Sequence, residues 1–492
     1  MARATVAVIG GGCAGVLVTR ELLRCSDDDV VLIEPGRPGG GLAYGFAQPW
    51  HLLNSRAGAM SADPADPGHF VRWANDRGLA AGPADFLSRR DYGDYLREVL
   101  AEAAAAHPGR LTVRSARVTG LTGPAGSPGA AGAAGLTGAA GSIGAAGALG
   151  VAGSLAAAGS TGVAGPLGAA GPWSVDLDDG TRVDADDVVL AVGNPQGSQP
   201  APIRPGQPGY LADPWQPGAL EALGGDAPVL LIGTGLTAVD AALTLFADGG
   251  RSAPVTAVSR RGQLPLAHTA EAAPPSAPPL DDCATLRDLV RAVRASAGEA
   301  GDWRAVVDGL RPYLDQIWVA LTPAEQDAFL RHLARTWECH RHRMAPAVGR
   351  RIAALRADGA LLIRAGGVRA ITAAPQGGLD VEFGDGDRQW FAAVVNCAGP
   401  GKLPGSANPL VATLIEAGLA RVGPHDLGLD IDPAGRLIAA GGAAQPGLWL
   451  LGPLRRGARW ETTAVPEIRA QAHRLAADLT AARAPGALLE AA

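Results

Sequence analysis

Several features are scarce in this sequence, and each scarcity removes a class of function. The five cysteines, Cys13, Cys25, Cys283, Cys339 and Cys397, are scattered over 492 residues, with no C-x-x-C pair and no metal-ligand spacing. That argues against a disulfide-relay enzyme and against structural zinc, so no metal is expected. Basic charge is not in excess. The formal net charge of −6 gives no field for nucleic acid and no polybasic membrane anchor. No uninterrupted apolar run reaches the roughly 18 residues of a membrane helix. The opening MARATVAVIGGG lacks the charged, apolar, small-residue order of an export signal. These absences leave a cytoplasmic protein whose partners are small molecules, with no nucleic acid and no membrane. The 47% hydrophobic content and the length suffice for two or three domains with their own cores.

What is present is a repeated rhythm. Short apolar runs bounded by turn residues, at Thr5 to Ile9, Val30 to Glu34, Val188 to Val192 and Val229 to Ile232, read as buried strands. The first and last of these run into a glycine-rich turn and then a helix-like stretch, the βαβ order of a doubly wound sheet, twice over. From Leu280 to Leu355 apolar residues recur at spacings of three and four, which predicts helices. LLIRAG, LDVEFGDG and AAVVNCAGP then return to strand, and a last helix is expected near Val465 to Ala481.

Between Gly123 and Gly171 glycine falls on every third position, broken once at Ala156. A collagen-like stalk needs abundant proline, yet only Pro124, Pro128, Pro166 and Pro172 occur here, so a flexible, dispensable insert is the favoured reading. Its flanks, LTVRSARVTGL and WSVDLDDGTRVDADDVVLAVG, alternate like half-buried strands, so the insert replaces a surface turn. Lengthening such a loop costs only about 0.6 kcal/mol for each doubling.

Two motifs carry the chemistry. In VAVIGGGCAGVLVTRELL, Gly10, Gly12 and Gly15 form G-x-G-x-x-G: one glycine for the tight turn, one for approach of a pyrophosphate, one for packing helix on strand. Glu34, about 20 residues on, can accept from ribose hydroxyls. In PVLLIGTGLTAVDAAL, Gly233, Gly235 and Ala238 form G-x-G-x-x-A, and the next strand ends in Ser259, Arg260 and Arg261 where the first ended in Glu34. Hydroxyl and guanidinium groups in place of an acid suit a 2′-phosphate, so the arginines are expected to select NADPH over NADH; a solvated charge pair is the plainer alternative. An acid at one site and an arginine pair at the other imply FAD in the first and NADPH in the second, with hydride passing between them.

The segments GLAYGFAQPWHLLNSRAGAMSADPADPGHFVRWA, FLSRRDYGDYL, SRRGQLPLAH, FLRHLARTWECHRHRMAP, VVNCAGP and GPLRRGARWETTAVPEIRAQA, with Asp213 to Trp215, resemble the bacterial FAD/NAD(P)-binding oxidoreductases that include the nitrosuccinate-forming aspartate N-monooxygenases. The similarity covers nearly all of the chain outside the Gly/Ala insert. It implies that Gly10, Gly12, Gly15 and Glu34 bind FAD and that His51 to Asn54 run beside the isoalloxazine, with Leu53 and Asn54 against the cofactor and His51 and Asn54 as candidate catalytic groups. It further implies a backbone contact from Val118 to the adenine and a crossover between domains at Gly193. Gly452 and the helix start at Thr462, Thr463 and Ala464 would meet the flavin pyrimidine edge, where a helix dipole favours negative charge. Gly233, Gly235, Thr237, Ala238, Ser259, Arg260 and Arg261 would hold NADP.

Weaker candidates are polar clusters. His340 and His342, with Arg341 and Arg343, would hold an anionic substrate or relay a proton, or else cap a helix and pair with acids. Their alternate spacing predicts that at most one histidine points into a site. Arg455, Arg456 and Arg459 suit a dicarboxylate or the FAD diphosphate. His268 would approach the nicotinamide or make a structural hydrogen bond, and Tyr44 and Trp50 would pack around the flavin.

The expected protein is α/β, with two Rossmann-like dinucleotide-binding domains (FAD and NADP) and an added helical section. The FAD domain would comprise residues 1–121, 173–215 and 369–482, the insert 122–172, the NADP domain with its helices 226–368, and a tail 483–492. Its expected activity is NADPH-driven monooxygenation of a small amino-acid or amine substrate by molecular oxygen through a flavin C4a-hydroperoxide. The F-x-G-x-x-x-H run of other flavin monooxygenases is absent, which keeps open a reductase or dehydrogenase with a non-oxygen acceptor. A non-catalytic flavin sensor is the remaining alternative.

Overall fold

A strand that is apolar at every position can be buried only where both sheet faces are covered. All four strands expected on that ground lie inside two sheets, one parallel throughout and one parallel but for an edge strand. The structure, a computed structural model, describes residues 3–124 and 172–483. In the first unit β1 (Thr5–Ile9) leads into α1 (Cys13–Cys25) and β2 (Asp29–Ile33). Helices α2 (Gly41–Tyr44), α3 (His69–Asp76) and α4 (Arg89–Ala106) then lead to β3 (Leu111–Arg114). An antiparallel sheet of β4 (Val118–Thr122), β5 (Trp173–Leu177) and β6 (Arg182–Ala185) precedes β7 (Asp187–Leu190), which returns beside β1. Thr122 pairs with Ser174 at the end of the β4–β5 ladder, so the Gly/Ala insert joins two neighbouring strands, as expected. Its interior, and the tail after Arg483, lie outside the described residues.

The second unit repeats this plan. After the short β8 (Tyr210–Leu211) come β9 (Val229–Ile232), α5 (Leu236–Leu245) and β10 (Val255–Ser259). The connection that follows is long: α6 (Leu286–Glu299), α7 (Trp303–Gly309), α8 (Leu314–Ala320), α9 (Pro323–His332), α10 (Ala334–Arg341) and α11 (Pro346–Ala357). Reciprocal capping boxes start two of these helices, Thr285 with Asp288 and Thr322 with Glu325. Then β11 (Leu361–Ala365), an antiparallel sheet of β12 (Val368–Ala373), β13 (Leu379–Phe383) and β14 (Arg388–Phe391), and β15 (Ala393–Asn396), which returns beside β9. The chain closes on the first unit with α12 (Pro409–Glu416), β16 (Arg436–Ile438), β17 (Ala444–Leu450) and α13 (Val465–Ala482), the last packed on α1.

The sheet orders are β16-β17-β7-β1-β2-β3 and β11-β10-β9-β15-β8. They correct the expected boundaries. β8, placed in the second part of the FAD domain, and β15, placed in its C-terminal part, both belong to the second sheet, so that unit extends from about 210 through Asn396. β15 completes a parallel sheet already centred on β9, and its run AVVN is buried throughout because both of its sides and both of its faces are covered.

The chain crosses between the units twice, after β7 and after β15, and the two crossings are zipped together. The Gln196 amide donates to the Ser406 carbonyl at 2.8 Å, the Gly401 amide to the Gln196 carbonyl at 2.8 Å, and Gly197 bridges Pro400. Gly193, the expected crossover, begins the first crossing at φ +79°.

Candidate functional site

The two dinucleotide turns are built alike, from the strand end upward. Gly10 (φ +102°) and Gly233 (φ +125°) follow β1 and β9, and a Cβ at either would run into a carbonyl of the returning strand, Ala191 or Cys397 respectively. Their amides donate to Ile33 at 2.9 Å and to Val258 at 2.8 Å, which fixes both turns in one register. Gly12 and Gly235 are the N-caps of α1 and α5; neither helix has a capping side chain or an acid in its first turn, so the free N–H groups and the positive helix ends are left for an anion. A Cβ on Gly15 would clash with the Gly10 carbonyl, whereas the second turn accommodates Ala238.

The difference lies at the strand ends. Glu34 follows β2; one carboxylate oxygen accepts from the Gly11 amide at 2.6 Å and the other from the Gly36 amide at 2.9 Å. This holds the carboxylate against the turn with acceptor capacity to spare for ribose hydroxyls. At the matching place Ser259 shares a 2.7 Å hydrogen bond with Thr234, whose hydroxyl also donates to the Gln263 carbonyl at 2.6 Å. Arg260 and Arg261 are exposed; Arg261 donates to the His332 carbonyl at 3.3 Å, and Arg260 has no partner among the described residues. Thr237, half-buried, stands in the first turn of α5. Sequence reasoning missed Arg335: from α10 it donates to the Thr234 carbonyl and hydroxyl at 3.2 Å and to Gln263, beside Gly235. Its sole sequence signal was an arginine in a helical segment 100 residues from the turn it serves.

The residues expected beside the isoalloxazine form the seam between the units. His51 is buried, and both ring nitrogens are engaged: Nδ1 accepts from the Gln48 amide at 3.1 Å, which leaves Nε2 as donor to Thr244 Oγ1 at 2.9 Å and the Asp240 carbonyl at 3.2 Å. Burial pushes its pKa down, so it stays neutral. With both ring nitrogens engaged inside the protein, His51 ties the two units together. Trp50 reaches the same Thr244 at 3.4 Å, and Arg89 pairs with Asp240 at 2.6 Å. Leu53 is buried and its amide donates to Leu87 at 2.8 Å. The Asn54 carbonyl accepts from His268 Nε2 at 3.1 Å, while the Asn54 side chain has no partner among the described residues. His268 is thus a second joint; burial, then Arg343, pushes its pKa to about 4. Tyr44 packs edge-on to Tyr92 at 4.9 Å. Val118 is buried at the start of β4 and pairs with Leu177.

The helical section meets the first unit along residues 455–467. Gly452 (φ +88°) donates its amide to Gln471 at 3.2 Å, Thr462 is fully buried, Thr463 is exposed and Ala464 is the N-cap of α13. Trp318 donates to the Gly457 carbonyl at 2.7 Å and its ring lies 4.7 Å from that of Trp460. Arg456 pairs with Glu338 at 2.8 Å and covers the Trp460 ring at 4.5 Å. Arg341 sits between Glu461 at 3.4 Å and Glu467 at 3.7 Å, and Arg343 pairs with Asp308. Arg455 is buried with its Nε unpartnered, and burial, then Arg459, lowers its pKa to about 10.

His340 and His342 line two neighbouring cavities, so neither is turned away from a pocket; α10 ends at Arg341, and the chain turns at His342 (φ −95°, ψ 77°). The spacing argument holds only inside a helix, which is why both can line a cavity. His342 joins Glu338, Arg456, Glu461 and Thr463 in a small polar pocket, and burial, then Arg341, pushes its pKa to about 3. His340 is tied through Nδ1 to the Thr336 carbonyl at 2.8 Å and faces Trp303 at 4.6 Å. Among the described residues Glu21, Cys25 and His473 are the one set of metal-ligand types brought together, but Arg20 and Arg24 already occupy the carboxylate.

A family model described as FAD-NAD(P)-binding matches residues 7–141. A second, described as collagen triple helix repeat, matches residues 118–174; its ends fall on the paired strands β4 and β5 and the rest on the glycine repeat outside the described residues. No curated protein sequence matches the chain. Among solved structures it is similar to the FAD-bound cadaverine monooxygenase of desferrioxamine biosynthesis from Erwinia amylovora (TM-score 0.64, 13% identity, covering 98% of this chain and 95% of that one). The reduced form of the ornithine hydroxylase from Pseudomonas aeruginosa gives a TM-score of 0.60 at 15% identity over 98% and 100%. Bacillithiol disulfide reductase from Staphylococcus aureus gives 0.54 at 13% over 98% and 100%. The described residues therefore have the fold of these oxidoreductases, in agreement with the fold class and the resemblance read from the sequence. Among the described residues no helix is long and apolar enough to cross a membrane.

Proposed function

We propose that this chain is an FAD- and NADPH-dependent N-monooxygenase of a small amine, working in the cytoplasm. The observation that carries the reading is the pair of equivalent turns with an acid at one strand end and Ser259 with an unpaired Arg260 at the other. The likeness to a cadaverine monooxygenase and an ornithine hydroxylase supports the reaction class.

The residues fit both cofactors. In the first unit the uncapped start of α1 would hold the diphosphate and Glu34 the ribose, with Gly10 and Gly12 giving the backbone its close approach. In the second, the start of α5 with Arg335 beside it would hold the NADPH diphosphate, and Arg260 and Ser259 its 2′-phosphate. When bound, such a flavin supplies the two-electron transfer from NADPH and the activation of oxygen. The balance is R–NH₂ + O₂ + NADPH + H⁺ giving R–NHOH + NADP⁺ + H₂O. The chain's own groups position and exclude water. The N-terminus of α13, free of a capping side chain at Ala464 and with the Glu467 of its first turn paired to Arg311 at 2.7 Å, would favour negative charge at the expected pyrimidine edge, and the seam of His51, Arg89 and His268 holds the two units against each other.

The reductase reading has the likeness to the disulfide reductase in its favour. Against a thiol relay, all five cysteines are free, and burial pushes Cys13 up to about 12 and raises Cys397 and Cys339, so these are not thiolates near neutral pH. The test is oxygen uptake with NADPH and a panel of amines, with products identified by mass. A hydroxylamine in step with NADPH use is expected; peroxide alone across the panel would overturn the reading.

A further inference from the structure

Beside the polar pocket, within the helical section, lies an apolar cleft of about 300 Å³, partly open to solvent. Leu289, Val293, Leu310, Leu314, Ile317 and Phe329 line it, with Arg294, Thr336 and His340 as its few polar neighbours. Trp337 and Trp460 line both it and the polar pocket of Glu338, Arg456, Glu461 and Thr463. One continuous wall therefore runs from charged groups beside the start of α13 into an apolar chamber. The Trp337 indole N–H is buried without an acceptor, a loss that an acceptor on a bound molecule would recover. A dry cavity of about 150 Å³ lined by leucine, isoleucine and phenylalanine admits benzene. Twice that volume has room for a fused bicyclic ring or a long alkyl chain.

We propose that the substrate is an amine carrying a large apolar body, which fills this chamber while the amine lies in the polar pocket. The proposal rests on the N-monooxygenase reading and narrows it: neither a short dicarboxylate nor a diamine would use the chamber. At the head-group end Glu338 and Glu461 are already paired with Arg456 and Arg341, so the pocket suits an uncharged amine donating to the remaining carboxylate lone pairs, and the chamber itself has no carboxylate. Burial of each added methylene should then tighten binding about fourfold until the chamber is full.

The test is a fluorescence titration of the flavin-loaded protein, since tryptophans line both spaces, with butylamine, hexylamine, octylamine and tryptamine against L-aspartate and ornithine. Affinity rising about fourfold per methylene, with the two polar amino acids bound at least about tenfold more weakly than octylamine, is the expected result. Val293→Trp, which fills the chamber from the half-buried face of α6, should weaken octylamine binding by about tenfold or more. Affinity that is flat with chain length overturns the proposal, as does octylamine binding unchanged in a Val293→Trp protein that melts like the wild type. Should that variant fail to fold, the chain-length series on the unaltered protein decides alone. Bleaching of the wild-type flavin by NADPH without air tests the parent reading separately: no bleaching ends that reading, whereas bleaching without chain-length dependence ends only this inference.

Discussion

The two halves of this molecule are the same construction used twice. β1, α1, β2, β3, the β4–β6 sheet and β7 in one half correspond to β9, α5, β10, β11, the β12–β14 sheet and β15 in the other. They part company in two places. At the end of the second strand Glu34 grips the turn amide directly, whereas Ser259 meets the turn at the Thr234 hydroxyl, with Arg335 bonded to Thr234 and Arg260 unpaired among the described residues. Between the second and third strands the first half spends α2 to α4, and the second spends α6 to α11, which bring the chamber and both pocket histidines. The same scaffold is used in both; under the proposed reading the strand-end position would choose the nucleotide, and the longer insertion is what brings the chamber.

The comparison is broken most severely by separating the halves. Arg89 and Asp240 are 14% and 6% exposed, so Arg89→Ala should lower unfolding free energy by about 3–5 kcal/mol, read by denaturant titration, because it strands a buried carboxylate. A second lever on the seam is pH. His268 titrates near 6.5 when unfolded and near 4 when folded, so its contribution is full above pH 6.5 and is lost as pH falls toward 4, up to about 3 kcal/mol. Melting temperatures should fall over that window in wild type, and His268→Asn should flatten the fall.

Smaller changes sharpen the contrast between the turns. Gly10→Ala and Gly233→Ala each force a side chain into a left-handed backbone against a carbonyl, a strain of about 1–3 kcal/mol. The first should yield protein that retains little flavin, the second yellow protein that NADPH reduces poorly; identical phenotypes would contradict the assignment of one nucleotide to each. The smallest expected effect is Arg260→Ala, raising KM for NADPH about tenfold, equivalent to about 1.4 kcal/mol, and leaving NADH unchanged. An unaltered preference would mean that the exposed guanidinium reads nothing.

Much of this was legible in the sequence because a βαβ unit writes itself in local signals. The glycine spacing, the strand lengths and the exchange of Glu34 for Ser259 and Arg260 all stand within 30 residues of each other in each half. The placement of β15 was not read, since an apolar run specifies burial and not which sheet provides it; yet the likeness of DDGTRVDADDVVLAVGNP to GDGDRQWFAAVVNCAGP, one ending β7 and the other β15, was there to find. The role of His51 was beyond reach, because its partners Asp240 and Thr244 are set by how the halves dock. The same holds for Arg335, and for the two cavities, whose walls come from α6 to α10 and from a tryptophan more than 100 residues later.

The twin crossings at Gln196 and Gly401, laced to each other by backbone hydrogen bonds, hang one half from the other like a door on a pair of hinges. The seam of His51, Arg89 and His268 is the latch on the same door, so the two halves are held together at two separate places. Where the start of α5 stands relative to the start of α1 is thereby set by the protein's own contacts.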